Sequence, residues 1–138
     1  MGSEMCIRDS SLIATGLFFI GWSFLVWVAG RAVTIAIENN AGIITKLVTT
    51  LFGLTAIWQF NNVLNFVPWN FAGAGHSLAV LKNSGTELSA RSEAFVNMTG
   101  SSAAEVPQFS IIPSDPIVLI FILSALYLVV GRLWVGNK

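Results

Sequence analysis

The sequence predicts an all-α integral membrane protein with three transmembrane helices, the first two paired as a helical hairpin and the third reached through a long outward loop holding a short helix. Three observations carry this expectation. First, 54% of the residues are hydrophobic and only 10% are charged, against about 25% charged in an ordinary soluble domain, so there is too little polar surface to cover a water-soluble globule. Second, the apolar residues gather into runs of about 20 residues or more, the length a helix needs to cross a hydrocarbon layer of about 30 Å. Third, turn-forming and polar residues separate those runs. Inside lipid every backbone amide must find its partner within the chain, and a helix does this segment by segment.

Residues 1–10, MGSEMCIRDS, differ in composition from the rest of the chain and read as a translated sequencing-adapter scar, or else as a short polar N-terminus. On the scar reading the true N-terminus is missing, helices upstream of Ser11 could have been lost with it, and the single cysteine, Cys6, carries no meaning. A cleaved signal peptide fits poorly, because the apolar run that starts at Leu12 continues far past the usual core of about 7–15 residues.

The first span is expected over 11–38. Its apolar part, Leu12 to Ile37, has one charge, Arg31, and as a helix of about 26 residues it would measure about 39 Å, enough to cross with tilt. Arg31 sits near the C-terminal end, where its stem can lie on apolar surface while the guanidinium reaches the headgroups. It reads as an interface anchor, with an ion-pathway arginine as the alternative. A turn at 39–42 follows, where Asn39, Asn40 and Gly42 tolerate left-handed backbone. The second span is expected over 43–68, antiparallel to the first, with Lys46 near its start and within reach of Glu38. Such a pair, partly solvated, contributes little.

Within the second span Thr55, Gln59 and Asn62 recur at steps of four and three and share one face, which Asn61 and Asn65 widen. Uncharged amides in hydrocarbon carry a desolvation cost, so the stripe of Thr55, Gln59, Asn62 and Asn65 is expected to face another helix, another subunit or a wet cavity. Interhelical bonds of this kind average about 0.6 kcal/mol, which selects a packing face more than it holds a bundle together. Pro68 is expected to end the span and Trp69 to anchor it at the interface.

Residues 69–113 turn to Gly, Ser, Ala, Thr and Asn and are expected to form an extramembrane loop. Within it Ser84-Gly85-Thr86-Glu87 fits a capping box, which predicts a short helix over about 85–98 stopped by Gly100. Asn97-Met98-Thr99 is a three-residue glycosylation acceptor pattern of low specificity. The third span, with a short tail, is expected over 114–138: Ser114-Asp115-Pro116 supplies a cap and a first-turn proline. Arg132 and Trp134 are then anchors at the far interface, and Ser124 and Gly131 let a neighbouring helix approach.

Basic residues flank the hairpin turn (Arg31, Lys46) and the C-terminal end (Arg132, Lys138), so these are placed in the cytoplasm and 69–113 outside. Seven basic and seven acidic residues balance to zero, which removes the basic footprint that nucleic acid requires. His76 is the only histidine, and no phosphate cradle, nucleophile elbow or zinc-binding pattern accompanies it. No metal or cofactor is therefore expected, and no enzymatic activity. The function expected is that of a small non-catalytic subunit or assembly partner in a membrane complex, its partners being the lipid bilayer and other membrane subunits or a second copy. The alternatives are a transporter or channel component lined by Gln59 and Asn62, and a cofactor-carrying subunit that uses His76.

Overall fold

The computed structural model describes residues 2–135, with side chains from residue 13 onward. The chain is all-helical: α1 (Gly2–Glu38), α2 (Ile43–Asn83), α3 (Ala90–Thr99), α4 (Pro116–Leu126), a π-helical turn (Tyr127–Gly131) and α5 (Arg132–Trp134), with no strand among the described residues. Three helical stretches are long and apolar enough to cross a membrane, Ile13–Glu38, Ile43–Asn83 and Pro116–Trp134, and the first two are adjacent. The scar reading of residues 1–10 and Lys138, counted for orientation, fall outside the described side chains.

Three helices end the same way. After α1, Asn40 takes a left-handed φ of 47°, its N–H bonds to the Ile37 carbonyl, and the Ala41 N–H bonds to the Ala36 carbonyl. This pair of bonds satisfies carbonyls that a helix end leaves open. Gly85 and Gly100, at φ 88° and 63°, repeat the arrangement after α2 and α3: Gly85 bonds to Lys82 and Thr86 to Leu81, Gly100 to Asn97 and Ser101 to Val96. α4 begins as its sequence predicts, with the Asp115 carboxylate accepting from the Ile117 N–H at 2.8 Å and Pro116 in the first turn.

The chain divides into two compact units, one made of residues 1–64 and 111–138, the other of 65–110. In the first, Ala29, Val33 and Ala36 of α1 meet Ile57 of α2 and Ala125, Val129 and Leu133 of the third span. These positions are mostly small or recur at steps of three and four, which lets helices approach closely. Since lipid tails are as apolar as leucine, such a core holds by fit and dispersion more than by removal from water. Gly53 shows how close the fit is, because a Cβ there would overlap the Val129 side chain. One aromatic from each span joins a row, Phe19 to Phe60 at 5.4 Å and Phe60 to Phe121 at 5.5 Å between ring centres.

In the second unit, the part of α2 from 65 to 83 carries α3 and the extended return 100–110. Lys82 pairs with Glu93 at 2.8 Å. Ser101 donates to the Ala72 carbonyl at 3.2 Å, and Trp69 donates to the Pro107 carbonyl at 3.2 Å while meeting the Phe109 ring edge-on. Gly75 is buried against this return, and a Cβ on it would overlap the Thr99 and Ser101 hydroxyls.

Several expectations are corrected. α2 does not stop at Pro68 but continues to Asn83, so much of the expected loop is helical. A proline withholds one N–H and crowds one carbonyl, and in membrane helices surrounding groups can re-satisfy what is lost. The residues beyond it include the strong helix formers Ala72, Ala74, Leu78, Ala79 and Leu81, and Gly73 and Gly75 do not break the helix. Ser84-Gly85-Thr86-Glu87 is a helix end, not a start. The cap of α3 is Ser89, which accepts from the Ser92 N–H at 3.3 Å, and α3 runs over Ala90–Thr99. Glu38 and Lys46 are not paired; among the described residues the ion pair is Lys82 to Glu93. The glycine that admits a neighbouring helix is Gly53, whereas the space beside Gly131 is taken by the Tyr127 ring of its own helix and Ser124 is exposed.

Candidate functional site

Within the first unit α2 presents two polar features. Its packed side is formed by Thr49, Gly53, Ala56, Ile57, Phe60 and Asn61. Asn61 is the buried amide, 7% exposed, and donates from Nδ2 to the Ile111 carbonyl at 2.9 Å. Residues 111–113 are not helical, and irregular backbone beside a membrane helix has to be bonded to something. Asn61 supplies that bond. Helical periodicity puts Asn61 only at the margin of the stripe, because it ranks faces and carries no information about a partner 50 residues away.

Beside this bond lies a cavity of about 540 Å³ whose lining includes Leu54, Thr55, Trp58, Asn61, Ile112 and Ile122. Its walls are apolar. Of the two polar side chains, Thr55 donates to the Leu51 carbonyl at 2.9 Å, and Asn61 is committed to Ile111. Gln59 and Asn62 are not in the lining.

The stripe therefore separates into different environments. Thr55 is exposed and borders the cavity, Gln59 and Asn62 are half-buried away from it, and Asn65 belongs to the second unit and has a partner of its own. Asn62 donates from Nδ2 to Gln59 Oε1 at 3.1 Å. That bond uses one N–H of Asn62 and one lone pair of Gln59. Among the described residues no partner is found for the Gln59 N–H donors or the Asn62 oxygen.

Of the expected interface anchors, Arg132 and Trp134 reach across to the other spans. The Arg132 guanidinium donates to Thr34 Oγ1 at 3.3 Å and the Trp134 indole donates to Thr50 Oγ1 at 2.9 Å. Each hydroxyl also donates to the carbonyl four residues back, Thr34 to Gly30 and Thr50 to Lys46. This places the C-terminal end of the third span beside the ends of α1 and α2 that flank the hairpin turn. Arg31 is exposed and Lys46 half-buried. Trp69 is held by the return segment of the second unit.

His76 lies on α2 in the second unit, and its Nδ1–H donates to the Ser102 carbonyl at 2.8 Å. Among the described residues no three His, Cys, Asp or Glu side chains are grouped so as to hold a metal ion. Asn97, the glycosylation acceptor position, is exposed in the last turn of α3. No family model, no curated protein and no solved structure matches the chain.

Proposed function

We propose that the chain is a small non-catalytic subunit or assembly partner of a membrane protein complex, with the hairpin turn and C-terminus in the cytoplasm and 69–113 outside. The observation that supports this reading is the Gln59–Asn62 pair, two half-buried amides of a membrane helix bonded to each other, with no further partner among the described residues for the Gln59 N–H donors or the Asn62 oxygen. Along α2 they lie about 20 and 24 Å beyond Lys46, within a hydrocarbon layer of about 30 Å if Lys46 marks its edge. Facing lipid tails, each open polar group carries a desolvation penalty. A neighbouring protein helix relieves it.

Extraction from native membranes in mild detergent tests the reading. The chain should migrate in a complex larger than itself, and a monodisperse monomer overturns the assembly role. For orientation, Val106→Cys in a Cys6→Ser background should react with an impermeant thiol reagent added outside intact cells, while Asn39→Cys should not. The reverse pattern inverts the assignment.

A further inference from the structure

We propose that Arg31 and Arg132 together hold the headgroup phosphate of an anionic phospholipid at the hairpin end of the first unit. On α1, Trp27, Arg31, Thr34 and Glu38 recur at steps of four, three and four and so share one face, away from Ala29, Val33 and Ala36, which meet the other helices. Trp27, Arg31 and Glu38 are exposed and Thr34 is half-buried. The third span delivers a second guanidinium to this face, because Arg132 Nη1 donates to Thr34 Oγ1 at 3.3 Å. The Thr34 hydroxyl gives its own proton to the Gly30 carbonyl, so it is oriented to accept, and it holds Arg132 by one of the five N–H donors of a guanidinium. Residues three apart on a helix have Cβ atoms about 5–6 Å from each other, which puts Arg31 beside the hydroxyl that positions Arg132. Two like charges are thereby gathered on one face.

Among the described residues no carboxylate lies within 4 Å of either guanidinium. The acid on the face is Glu38, one turn beyond Thr34, and Lys46 at the start of α2 adds a third positive charge, so this end carries three cations against one carboxylate among the described residues. Beneath the charges the surface is apolar. Trp27, one turn deeper than Arg31, is 65% exposed, and Tyr127 and Leu128, before Arg132 on the third span, are 68% and 52% exposed. Arg31 is seven residues from the end of α1, about 10 Å along the axis, and its stem can carry the guanidinium outward to headgroup depth. The Trp134 indole, fixed on Thr50, marks that depth from the third span. A phospholipid with a net negative headgroup matches both parts: guanidinium forks take its phosphate, a pairing stronger than a neutral hydrogen bond, while its chains lie on the apolar side chains below. Free phosphate matches the charges only, and a zwitterionic lipid brings a cation of its own beside the two arginines. The site uses neither Gln59 nor Asn62, so it stands apart from the assembly reading.

The test is electron spin resonance of the full chain in phosphatidylcholine vesicles with a trace of spin-labelled phosphatidylglycerol or spin-labelled phosphatidylcholine, reading the fraction of probe immobilised on the protein. Phosphatidylglycerol should associate at least fivefold more strongly than phosphatidylcholine. Arg31→Gln should abolish most of that preference, since one basic residue near an anionic membrane surface is worth about fivefold. Arg31 makes no hydrogen bond with another described residue, so its loss leaves folding intact. Arg132→Gln should act in the same direction, Lys46→Gln should change the preference less than twofold, and inorganic phosphate at matched ionic strength should not displace the lipid. Equal association of the two lipids overturns the proposal. So does an equal loss from Lys46→Gln, which would mark a general attraction to basic residues, and so does displacement by phosphate, which would mark an anion site indifferent to the lipid tail.

Discussion

Thr34 and Thr50 perform the same task on different helices. Each hydroxyl donates to its own helix four residues back and accepts a hydrogen bond from the end of the third span. Thr50→Val should lower stability by about 0.6 kcal/mol, the average for an interhelical bond, as measured by denaturant titration in detergent micelles followed by circular dichroism. Asn61→Leu should cost more, about 1–3 kcal/mol, because it removes a buried donor from a backbone carbonyl that lies outside any helix. Asn40 tests the backbone itself. Asn40→Gly should be neutral or slightly stabilising at φ 47°, whereas Asn40→Val should cost about 1–2 kcal/mol, because a β-branched side chain is crowded at positive φ and lacks the short polar group that lets asparagine adopt it. At this scale the sequence is legible wherever a residue acts on its own backbone, as in the Asn-Asn-Gly turn, Asp115-Pro116 and Gly100. It is opaque where a side chain acts at a distance. Nothing near Trp134 in sequence points to Thr50, and nothing near Asn61 points to Ile111.

The helices show a similar division between what a local pattern reveals and what packing decides. Apolar runs disclose three spans, but the extent of α2 depends on the second unit. Ala79 and Gly75 are buried there, Gly75 against partners more than 20 residues further along the chain, and this packing overrides the local signals of Pro68, Gly73 and Gly75. In sequence Gly75 looks like loop flexibility, when its role is to leave room for the Thr99 and Ser101 hydroxyls. Glycine shape is therefore a test of elements. Gly53→Val should destabilise the chain by about 1–3 kcal/mol, the usual range for overpacking, since even a Cβ overlaps Val129. Gly16→Val, with open space around that position, should change stability far less, and comparable losses at both sites would show that Gly53 is not a close-packing point. The polar stripe is only partly legible for the same reason: a helical wheel groups Thr55, Gln59 and Asn62, but cannot say that Asn61 will be buried, Gln59 and Asn62 half-buried and Thr55 exposed beside a cavity.

For the molecule as a whole, composition and the length of the apolar runs are enough to identify membrane helices, because inside lipid a helix bonds its own backbone segment by segment. The protein should require detergent for extraction and stay with vesicles through a carbonate wash at high pH; release into the aqueous phase would contradict a spanning arrangement. Function is much less legible. Which polar groups of α2 the chain covers, such as Asn61, emerges only from the packing. The π-helical turn bears on this packing. It is a wider loop of backbone within the third span, in which the Arg132 N–H reaches back to the Tyr127 carbonyl, and it accommodates one residue more than an α-helix would over the same rise. Every side chain beyond it is thereby set about 100° around the axis from where uninterrupted winding would put it. Arg132 and Trp134 find Thr34 and Thr50 because of that offset. Winding the same residues as a regular α-helix would turn both side chains away from the hydroxyls they meet, whereas deleting Val130 should let the span wind evenly and leave both at their present phase. The π-turn thus takes up one residue without turning the last residues of the span, and the contacts to Thr34 and Thr50 depend on that.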